Sequence, residues 1–487
     1  MLLGRTDQKQ SALAATKHKR KHTPNKAMGE MKPRRRQRWA TAFRKYVDFI
    51  NKNLYWRRVH AEGIENMPPD GNPVVLVSNH QNCLNDPLSL ALMLKDRRPN
   101  FLTRANVFAV HPLANKFLRA LGLLPAYRVN YEGFAAVSKN KATLSEVESA
   151  LRSGETVILY PECGHQNKRW LGNFSMAYLK MAFGAAEACN FEKEVFVMPT
   201  ANHYSHYFHA REDVLIRFGE PISLVPYYEL YKEQPRQAMR EVNAIVRAKI
   251  EELMLNINNL ENYEEIDFLR ESEFGDKYAE AKGLDPDLLP EKLQADKALV
   301  ADIEKAMEQH PDQMKSIFEK TDQLSKGIKE LGIRDWLFEG EHHRYDQFWK
   351  GAMLLLGLPL FIACIIPTAL MFIVPALLIK RFIKDQMFHS SINLGATAFI
   401  TYPICCIIPS IVMICTGGWL RGLIYFALFP LMFIYAWNYV RWVTKAMGHR
   451  RFVLSRNRQR VEQLRALRSQ IFGDLDEVLK KSIAAAE

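Results

Sequence analysis

The chain has 487 residues, of which 48% are apolar and 24% charged, with a formal net charge of +13. This length allows two or three folded units. The uneven composition excludes a wholly water-soluble protein, because residues 351–440 carry almost no charge apart from one short basic patch. The excess of positive charge is also local, since residues 1–45 contain fourteen Lys and Arg against Asp7 and Glu30.

Two basic segments come first in the chain. Residues 1–38 are rich in Lys, Arg, Ser, Thr and Pro, cannot bury a core and are predicted to form a disordered tail. Such a tail could bind nucleic acid, but with an apolar region in the same chain we favour anionic lipid and expect no nucleic-acid partner. Residues 39–59 place apolar side chains at helical spacing among basic ones. This pattern predicts an amphipathic helix that lies in a membrane interface or, equally, packs on a soluble domain.

Residues 60–227 alternate apolar runs with helical patterns. Strands are predicted at 73–78, 101–108, 123–128, 155–161, 194–204 and 213–220, and helices at 87–95, 112–121, 133–152 and 172–188. The alternation predicts an α/β domain with a largely parallel sheet. The strands are continuous apolar runs, as expected when both faces of a sheet are covered.

The remaining chain is predicted to be helical. Residues 228–345 are charged and are interpreted as a helical linker domain to which we assign no role. Residues 351–440 are interpreted as an α-helical transmembrane region, because a crossing needs roughly 20 apolar residues and three apolar stretches are long enough: 351–379, 392–414 and 418–438. Residues 441–487 are interpreted as a basic helical C-terminal tail.

The basic segments suggest a topology. Basic loops tend to stay in the cytoplasm, and both the loop at 380–384 and the C-terminal tail are basic. The second and third apolar stretches can then form a hairpin, while the first, which contains three prolines, would be a re-entrant segment. A single tilted crossing is the alternative. We expect an integral membrane protein with its α/β domain on the cytoplasmic face.

His80 and Asp86 follow the first strand of the predicted α/β domain. Open α/β sheets bind ligands at the carboxyl ends of their strands. Each residue alone has an ordinary explanation: Asp86 caps the helix that begins with Pro87, and His80 is a hydrogen-bonded loop residue. Together, they predict an imidazole whose tautomer is fixed by a carboxylate and which can act as a general base on a hydroxyl or on water.

Four blocks in order resemble the motifs of the glycerolipid acyltransferase family, the PlsC-like glycerol-3-phosphate and 1-acylglycerol-3-phosphate acyltransferases. The blocks are SNHQNCLNDP (78–87), GLLPAYR (122–128), ILYPECGH (158–165) and VFVMPTANHY (195–204). Two positions depart from the family pattern. Asn85 stands where the usual aspartate would be, which we interpret as a one-residue insertion that leaves Asp86 functional. Cys163 replaces the glycine that is usual in the third block, and Gly164 follows one place later.

The resemblance implies roles for the residues in these blocks. His80 would deprotonate an acceptor hydroxyl, and Asp86 would orient His80. Arg128 would hold a phosphate, and Glu162 would hold a substrate hydroxyl or position its loop. The other expected substrate-binding positions are Gly164 in the third block, Pro199 beside the acyl or donor site, and Arg104, Lys168 and Arg169 as further phosphate candidates.

The resemblance also implies an activity. We expect a membrane-bound acyltransferase that uses acyl-CoA or an acylated carrier protein as co-substrate, without a further cofactor or a metal. Its acceptor would be glycerol-3-phosphate or lysophosphatidate, and its partners the lipid bilayer and these substrates. Two alternatives stay open: a catalytically inactive membrane scaffold that binds lipid, and a hydrolase in which water replaces the acceptor alcohol.

Overall fold

The computed structural model of the protein describes residues 38–94, 97, 99–109, 111–127, 135–162, 164, 168–339, 344–453 and 457–484. The predicted tail at 1–38 therefore lies outside the described residues except for Arg38. Three regions follow one another: an α/β domain, a helical region and a set of long apolar helices. This order confirms the predicted fold class.

One eight-stranded sheet forms the centre of the α/β domain. The strands are β1 (Arg58–Glu62), β2 (Val74–Ser78), β3 (Pro99–Arg104), β4 (Leu123–Ala126), β5 (Thr156–Leu159), β6 (Phe196–Tyr204), β7 (Asp213–Phe218) and β8 (Ile222–Ser223). Their order is β1-β7-β6-β2-β5-β3-β4, with β8 paired to β6. Only the β6–β7 and β6–β8 pairs are antiparallel, so β2 to β6 all end at the same edge of the sheet.

Helices cover this sheet, and the central strand β2 is buried along its whole length. The helices of the domain are α1 (Arg38–Phe49, continued by a π-helical turn at Ile50–Tyr55), α2 (Asn85–Met93), α3 (Pro112–Ala120), α4 (Ala135–Arg152) and α5 (Ala177–Glu187). The Val- and Leu-rich sequence of β2 is the one expected for a strand that packs against helices on both faces.

Two predicted boundaries in this domain are wrong, one of a helix and one of a strand. The sequence placed residues up to 59 in the first helix, but the helical backbone ends at Tyr55 and β1 begins at Arg58. β1 is a half-exposed edge strand that pairs only with β7, and its charged residues gave no apolar run. The predicted strand 101–108 ends at Arg104, where a 3₁₀ helix takes over.

The helical region has a core of its own. Its helices are α6 (Tyr228–Glu233), α7 (Pro235–Leu253), α8 (Tyr263–Glu271), α9 (Glu273–Ala281), α10 (Leu289–Gln309) and α11 (Pro311–Leu331). The last helix of the chain, α16 (Arg458–Ala484), packs into the same core. Gly327 in α11 makes this possible, because a Cβ there would lie 2.6 Å from the Leu464 side chain of α16. Residues 458–484 are thus part of the helical region in space.

The apolar helices come between these two parts of the helical region. They are α12 (Arg344–Phe382), α13 (His389–Ala396, continued by π-helical turns to Ile407), α14 (Ile408–Gly417) and α15 (Trp419–Val453). Three spans are long and apolar enough to cross a membrane: Phe348–Phe382, Gln386–Gly417 and Trp419–Val453.

The preferred re-entrant form of the first apolar stretch is wrong. α12 is one continuous helix that includes Pro359, Pro367 and Pro375. A proline removes one backbone hydrogen bond and bends a helix, but it does not have to reverse the chain. Apolar helices tolerate it when neighbouring helices cover the bend, and α12 packs along α15.

α1 joins the α/β domain to the apolar helices. Trp39 stacks on Phe117 of α3 with ring centroids 5.5 Å apart, while Phe43 stacks on Phe399 at 5.8 Å. The Tyr46 hydroxyl donates to the carbonyl oxygen of Ala398 over 2.5 Å. The following π-helical turn is buried in a cluster shared with the apolar helices. α1 therefore packs on the α/β domain with one part of its surface and on the apolar helices with another.

Candidate active site

The loop between β2 and α2 brings His80 onto Asp86. This His–Asp loop, residues 79–86, begins at the edge of the sheet where β2 to β6 end. The Nδ1 atom of His80 lies 2.8 Å from Oδ2 of Asp86. The Asp86 side chain is completely buried and the His80 side chain is 15% exposed. A ligand can therefore reach the imidazole ring but not the carboxylate.

The Asp86 carboxylate accepts four hydrogen bonds. Oδ2 receives Nδ1 of His80 and the backbone N–H groups of Gln81 and Asn82, at 2.8, 2.9 and 2.8 Å. Oδ1 receives the hydroxyl of Tyr204 at 2.6 Å. A buried carboxylate with this many donors is held in one orientation. The Nδ1 atom of His80 then carries the proton, and Nε2 is the nitrogen that can accept one.

The expectation that Asp86 is a helix N-cap is wrong. α2 begins at Asn85, so Asp86 lies in its first turn and reaches back to N–H groups that precede the helix. The same two N–H groups are thereby unavailable to bind a developing oxyanion in the loop after His80.

The extra residue of the loop is taken up by the backbone at Cys83, which has a φ of 41°. This left-handed conformation is uncommon for a residue with a side chain. Asn85 points away from His80, with its amide nitrogen 2.5 Å from Oγ of Ser390. The geometry thus agrees with a one-residue insertion, because Asp86 and not Asn85 contacts the imidazole.

Two tyrosines surround the His80–Asp86 pair. The Tyr160 ring stacks on the imidazole with centroids 4.3 Å apart. Burial, together with the negative charge of Asp86, holds the pKa of the Tyr204 phenol well above its usual range, and burial does the same for the pKa of Tyr160. The Tyr204 hydroxyl therefore stays protonated and remains a donor to the carboxylate.

Glu162 holds the backbone of the loop rather than the imidazole. Its Oε1 accepts the backbone N–H of His80 at 2.8 Å, and its Oε2 accepts the N–H of Gly172 at 2.9 Å. Burial raises the pKa of Glu162, and the two N–H bonds oppose that rise. Of the two roles that the resemblance allowed, these contacts fit loop positioning.

The helical region supports the same loop through residues 168–172. The Gln81 side chain donates to the carbonyl oxygen of Lys168 at 3.1 Å and accepts from the Tyr207 hydroxyl at 2.9 Å. The backbone N–H of Arg169 donates to the Tyr263 hydroxyl at 2.7 Å. Residues 256 and 263, which precede and begin α8, thus fix the segment that contacts Gln81 and Glu162.

Arg169 has protein partners of its own. Its guanidinium is buried, lies 3.6 Å from carboxylate oxygens of Asp267 and of Glu271, and donates to the carbonyl oxygen of Tyr204 at 3.3 Å. Lys168 lies over the Tyr263 ring and 3.9 Å from Glu264. These contacts tie both side chains to the helical region, which leaves them poorly placed as phosphate ligands.

The apolar helices support the loop from another side. The backbone N–H of Leu84 donates to Oγ of Ser391 at 2.9 Å. Ser390 is buried between Asn85 and Tyr55, and its carbonyl oxygen accepts the Tyr55 hydroxyl at 2.9 Å. Both serines lie in the first turn of α13, so this apolar segment is in direct contact with the His–Asp loop.

Four predicted binding residues remain: Arg104, Gly164, Arg128 and Pro199. Arg104 ends β3 at the same sheet edge with an exposed side chain. Gly164 lies just beyond Glu162, where a Cβ would meet nothing nearer than 4.0 Å, so the described backbone there does not demand glycine. Arg128 lies outside the described residues. Pro199 is buried within β6 opposite Val77, inside the sheet rather than at its edge.

Sequence reasoning missed the residues that hold the loop. Tyr204 ends the fourth block, where the polar run ANHY in an otherwise apolar strand was a usable signal. Gly172, Tyr55 and the two serines of α13 gave no local signal, because their partners lie far away in the chain. No group of three or more His, Cys, Asp or Glu among the described residues is arranged to hold a metal ion.

Comparison with known proteins supports the resemblance that the four sequence blocks indicated. A family model described as Acyltransferase matches residues 58–202, a segment that contains the first three blocks and most of the fourth. A curated relative, the chloroplastic 1-acyl-sn-glycerol-3-phosphate acyltransferase of Arabidopsis thaliana, is 26% identical over 145 residues. The match covers 28% of this chain and 38% of that protein, so this chain spans well under half of its relative.

A solved structure is also similar to part of the chain. It is the 1-acyl-sn-glycerophosphate acyltransferase of Thermotoga maritima, which is 20% identical, with a TM-score of 0.33 over 44% of this chain and 79% of that one. The family model and the curated relative cover the segment that holds His80, Asp86 and Glu162. Residues 58–202 of this chain therefore match an acyltransferase family model and are similar in sequence to a glycerolipid acyltransferase.

Proposed function

We propose that this protein is a membrane-bound O-acyltransferase. It transfers a fatty acyl group from a thioester donor, acyl-CoA or an acylated carrier protein, to a hydroxyl of glycerol-3-phosphate or lysophosphatidate. The observation that carries the proposal is the contact between Nδ1 of His80 and the buried Asp86 carboxylate. This contact leaves the accessible nitrogen of the ring as the proton acceptor.

The reaction needs one proton acceptor and one acyl transfer. Nε2 of His80 takes the proton of the acceptor hydroxyl while that oxygen attacks the carbonyl carbon of the thioester. The tetrahedral intermediate then expels the thiolate, and the imidazolium returns its proton to the sulfur. Asp86 stabilises the imidazolium throughout, and Glu162 holds the backbone of His80. Arg128 stays our predicted phosphate ligand, because it ends the second block.

The three apolar spans support a location in the membrane. Acyl chains and lysophospholipids reside in the bilayer, and the first turn of α13 lies against the His–Asp loop. A site beside an apolar helix can receive an acceptor from the lipid without its full transfer into water. We propose that the α/β domain faces the cytoplasm together with the basic segment after 440, because α16 packs into the core of the helical region that precedes the apolar helices.

A purified-membrane assay with radiolabelled donor tests the proposal. His80→Gln should lower acyl transfer by about 10²–10⁴-fold, the usual contribution of a general base. The control is His111→Gln, because His111 is an exposed residue at the start of α3 and should keep wild-type activity. Unchanged transfer in the His80 variant would rule the mechanism out.

Product analysis in the same assay separates the alternatives. Acylated lipid supports the transferase, free fatty acid supports a thioester hydrolase, and no product with any donor supports a lipid-binding scaffold. The scaffold hypothesis drew support from the displaced aspartate, and the His80–Asp86 contact removes that argument. Acceptors should be screened one by one, since glycerol-3-phosphate and lysophosphatidate differ by one acyl chain.

A further inference from the structure

A cavity lies between the apolar helices, apart from the His–Asp loop. It has a volume of about 730 Å³ and is formed by the beginning of α12 and the end of α15. Trp336, which belongs to the helical region, closes one side. Sites for small ligands have volumes of roughly 300–1,000 Å³, so the cavity is large enough for part of a lipid.

Two tyrosines of α15 form an apolar floor. The hydroxyl of Tyr439 donates to the carbonyl oxygen of Leu354 at 2.6 Å, and that of Tyr435 donates to the carbonyl oxygen of Gly357 at 3.1 Å. Gly357 permits this approach, because a Cβ there would lie 3.0 Å from the Tyr435 hydroxyl. Since both hydroxyls are already bonded to α12, the rings offer mainly apolar surface to the cavity.

Two lysines stand at the edge of this floor. Nζ of Lys350 lies 3.1 Å from Nε2 of His449, and Nζ of Lys445 lies 5.8 Å from the centroid of the Trp336 ring. Within the described parts of the chain, no carboxylate forms an ion pair with either ammonium group. Lys350 directly precedes the charge-free stretch 351–379 of α12, and Lys445 lies near the end of α15. Both positive charges therefore lie toward the ends of apolar spans.

We propose that this cavity binds one anionic glycerophospholipid of the bilayer. Its phosphate lies between Lys350 and Lys445, and an acyl chain covers the tyrosine floor. An apolar floor beside two unpaired cations matches a molecule that joins a hydrocarbon chain to a negative charge. A free phosphate ion would leave the floor uncovered, and a lipid without net charge would leave the ammonium groups unmatched.

A general anchoring role for these residues is the competing explanation. Tryptophan, tyrosine and lysine are common at the ends of membrane-spanning helices, where they lie at the headgroup level. Anchoring does not need a cavity, nor a lining residue from outside the apolar helices such as Trp336. The two explanations also differ in what they predict for other basic residues on the same helix, and this difference can be measured.

The test uses the full-length protein purified in a neutral detergent. The protein is equilibrated with mixed phosphatidylglycerol and phosphatidylcholine, and the lipid bound per chain is measured by mass spectrometry. We expect the wild type to retain phosphatidylglycerol selectively. A lysine near an anionic headgroup is worth roughly fivefold in affinity. The double variant Lys350→Gln/Lys445→Gln should therefore bind phosphatidylglycerol about 25-fold more weakly.

The matched control is Lys380→Gln/Arg381→Gln, which removes two exposed charges from the other end of α12. This control should bind like the wild type, and equal weakening in both pairs would overturn the site in favour of general attraction. Ala446→Phe fills the cavity without a change of charge and should also lower binding. Retained binding in this variant, or displacement of the lipid by inorganic phosphate, would equally contradict the proposal.

Discussion

The His–Asp loop is held from two sides by regions of opposite character. On one side, Glu162 and the segment 168–172 connect it to the charged helical region through carboxylates, backbone groups and a buried arginine. On the other side, neutral hydroxyls of α13, in the apolar helices, bond directly to Leu84 and Asn85. The serines of α13 and the carboxylates that hold Arg169 lie outside residues 58–202. The geometry of the site is therefore not contained in that segment alone.

The largest effect should come from Asp86, which accepts hydrogen bonds from three residues of the His–Asp loop. Asp86→Asn replaces an acceptor of His80 Nδ1 with a group that can donate, so the imidazole loses its fixed tautomer. We expect acyl transfer to fall by roughly 10³-fold or more, measured as kcat in purified membranes.

A spacing control sharpens this prediction. The double variant Asn85→Asp/Asp86→Asn restores the usual family spacing, but residue 85 faces Ser390. It should stay as inactive as the single variant. Recovery of activity in the double variant would show that the loop can shift by one residue and that the contacts of α13 do not fix it.

The second-largest loss of activity should come from a change at Glu162, which supports the loop from the side of the helical region. Glu162→Gln keeps one acceptor but sets an amide N–H against a backbone N–H, so either His80 or Gly172 loses its partner. We expect kcat to fall about 10- to 100-fold, as for other groups that orient a reacting side chain, with little change in KM.

Glu155→Gln is the control for Glu162. Glu155 is also buried and lies at the opposite end of β5, where it accepts from Asn100. Activity in this variant should stay close to the wild type. A similar loss of kcat in both variants would mean that disturbance of β5, and not the backbone of His80, causes the effect.

The support from the apolar side should be weaker because it uses neutral groups. Ser390→Ala removes a hydroxyl that accepts from Asn85, and one such bond is worth about 1 kcal/mol. We expect kcat to fall about fivefold. The effect should not add to that of Asn85→Ala in a double variant.

Ser410→Ala provides the matched comparison for Ser390. Ser410 is a buried serine of α14 that donates to the carbonyl oxygen of Cys406, one turn earlier in the continuation of α13. Its removal should leave kcat unchanged. If both serine variants lose activity equally, contact between α13 and the loop has no special role in positioning.

The smallest effect should be on the free energy of unfolding. It concerns the point where the chain passes from the helical turn at Tyr55 into the sheet. Arg57 and Arg58, just after Tyr55, each contact Asp213 of β7 at 2.8 Å. Burial alone would raise the pKa of Asp213, but the bonds from both arginines outweigh it and the pKa is lowered from 3.8. This stabilisation is therefore present above pH 3.8 and is lost as the pH falls through the lower pKa of the folded state.

Asp213→Asn tests this pH dependence. The two arginines are nearly half-exposed, so solvent screening limits the effect to about 1 kcal/mol at neutral pH, or a fall of about 2 °C in the apparent melting temperature. The gap between variant and wild type should be constant from pH 7 to about pH 5 and close below pH 4. A gap that widens in acid would contradict the assigned direction of the pKa shift.

The sequence predicted those features that depend on local pattern. The apolar runs located six of the eight strands, and the spacing of His80, Asp86 and Pro87 indicated their contact because only a short turn separates them. β1 was missed because an edge strand with charged residues lacks an apolar run. The prolines of α12 were misinterpreted because local propensity disfavours them in a helix, whereas packing against other apolar helices tolerates them.

Contacts between distant parts of the chain could not be predicted in this way. Tyr204 meets Asp86 across 118 positions, and Ser390 meets Asn85 across 305. Neither pair has a periodic signal, because each depends on how whole elements pack. The role of Glu162 was narrowed to two possibilities by the third block, and only the positions of His80 and Gly172 distinguish between them.

The placement of α16 has a consequence for how the protein is made. α16 buries Val461, Leu464, Ile471 and Leu475 in the core of the helical region, yet the ribosome makes it after all the apolar helices. During translation the helical region must therefore wait with an open apolar groove while more than a hundred further residues, including α12 to α15, are made. Packing of α16 against α10 and α11 closes that groove, so the core of the helical region is completed only after the apolar helices have been made.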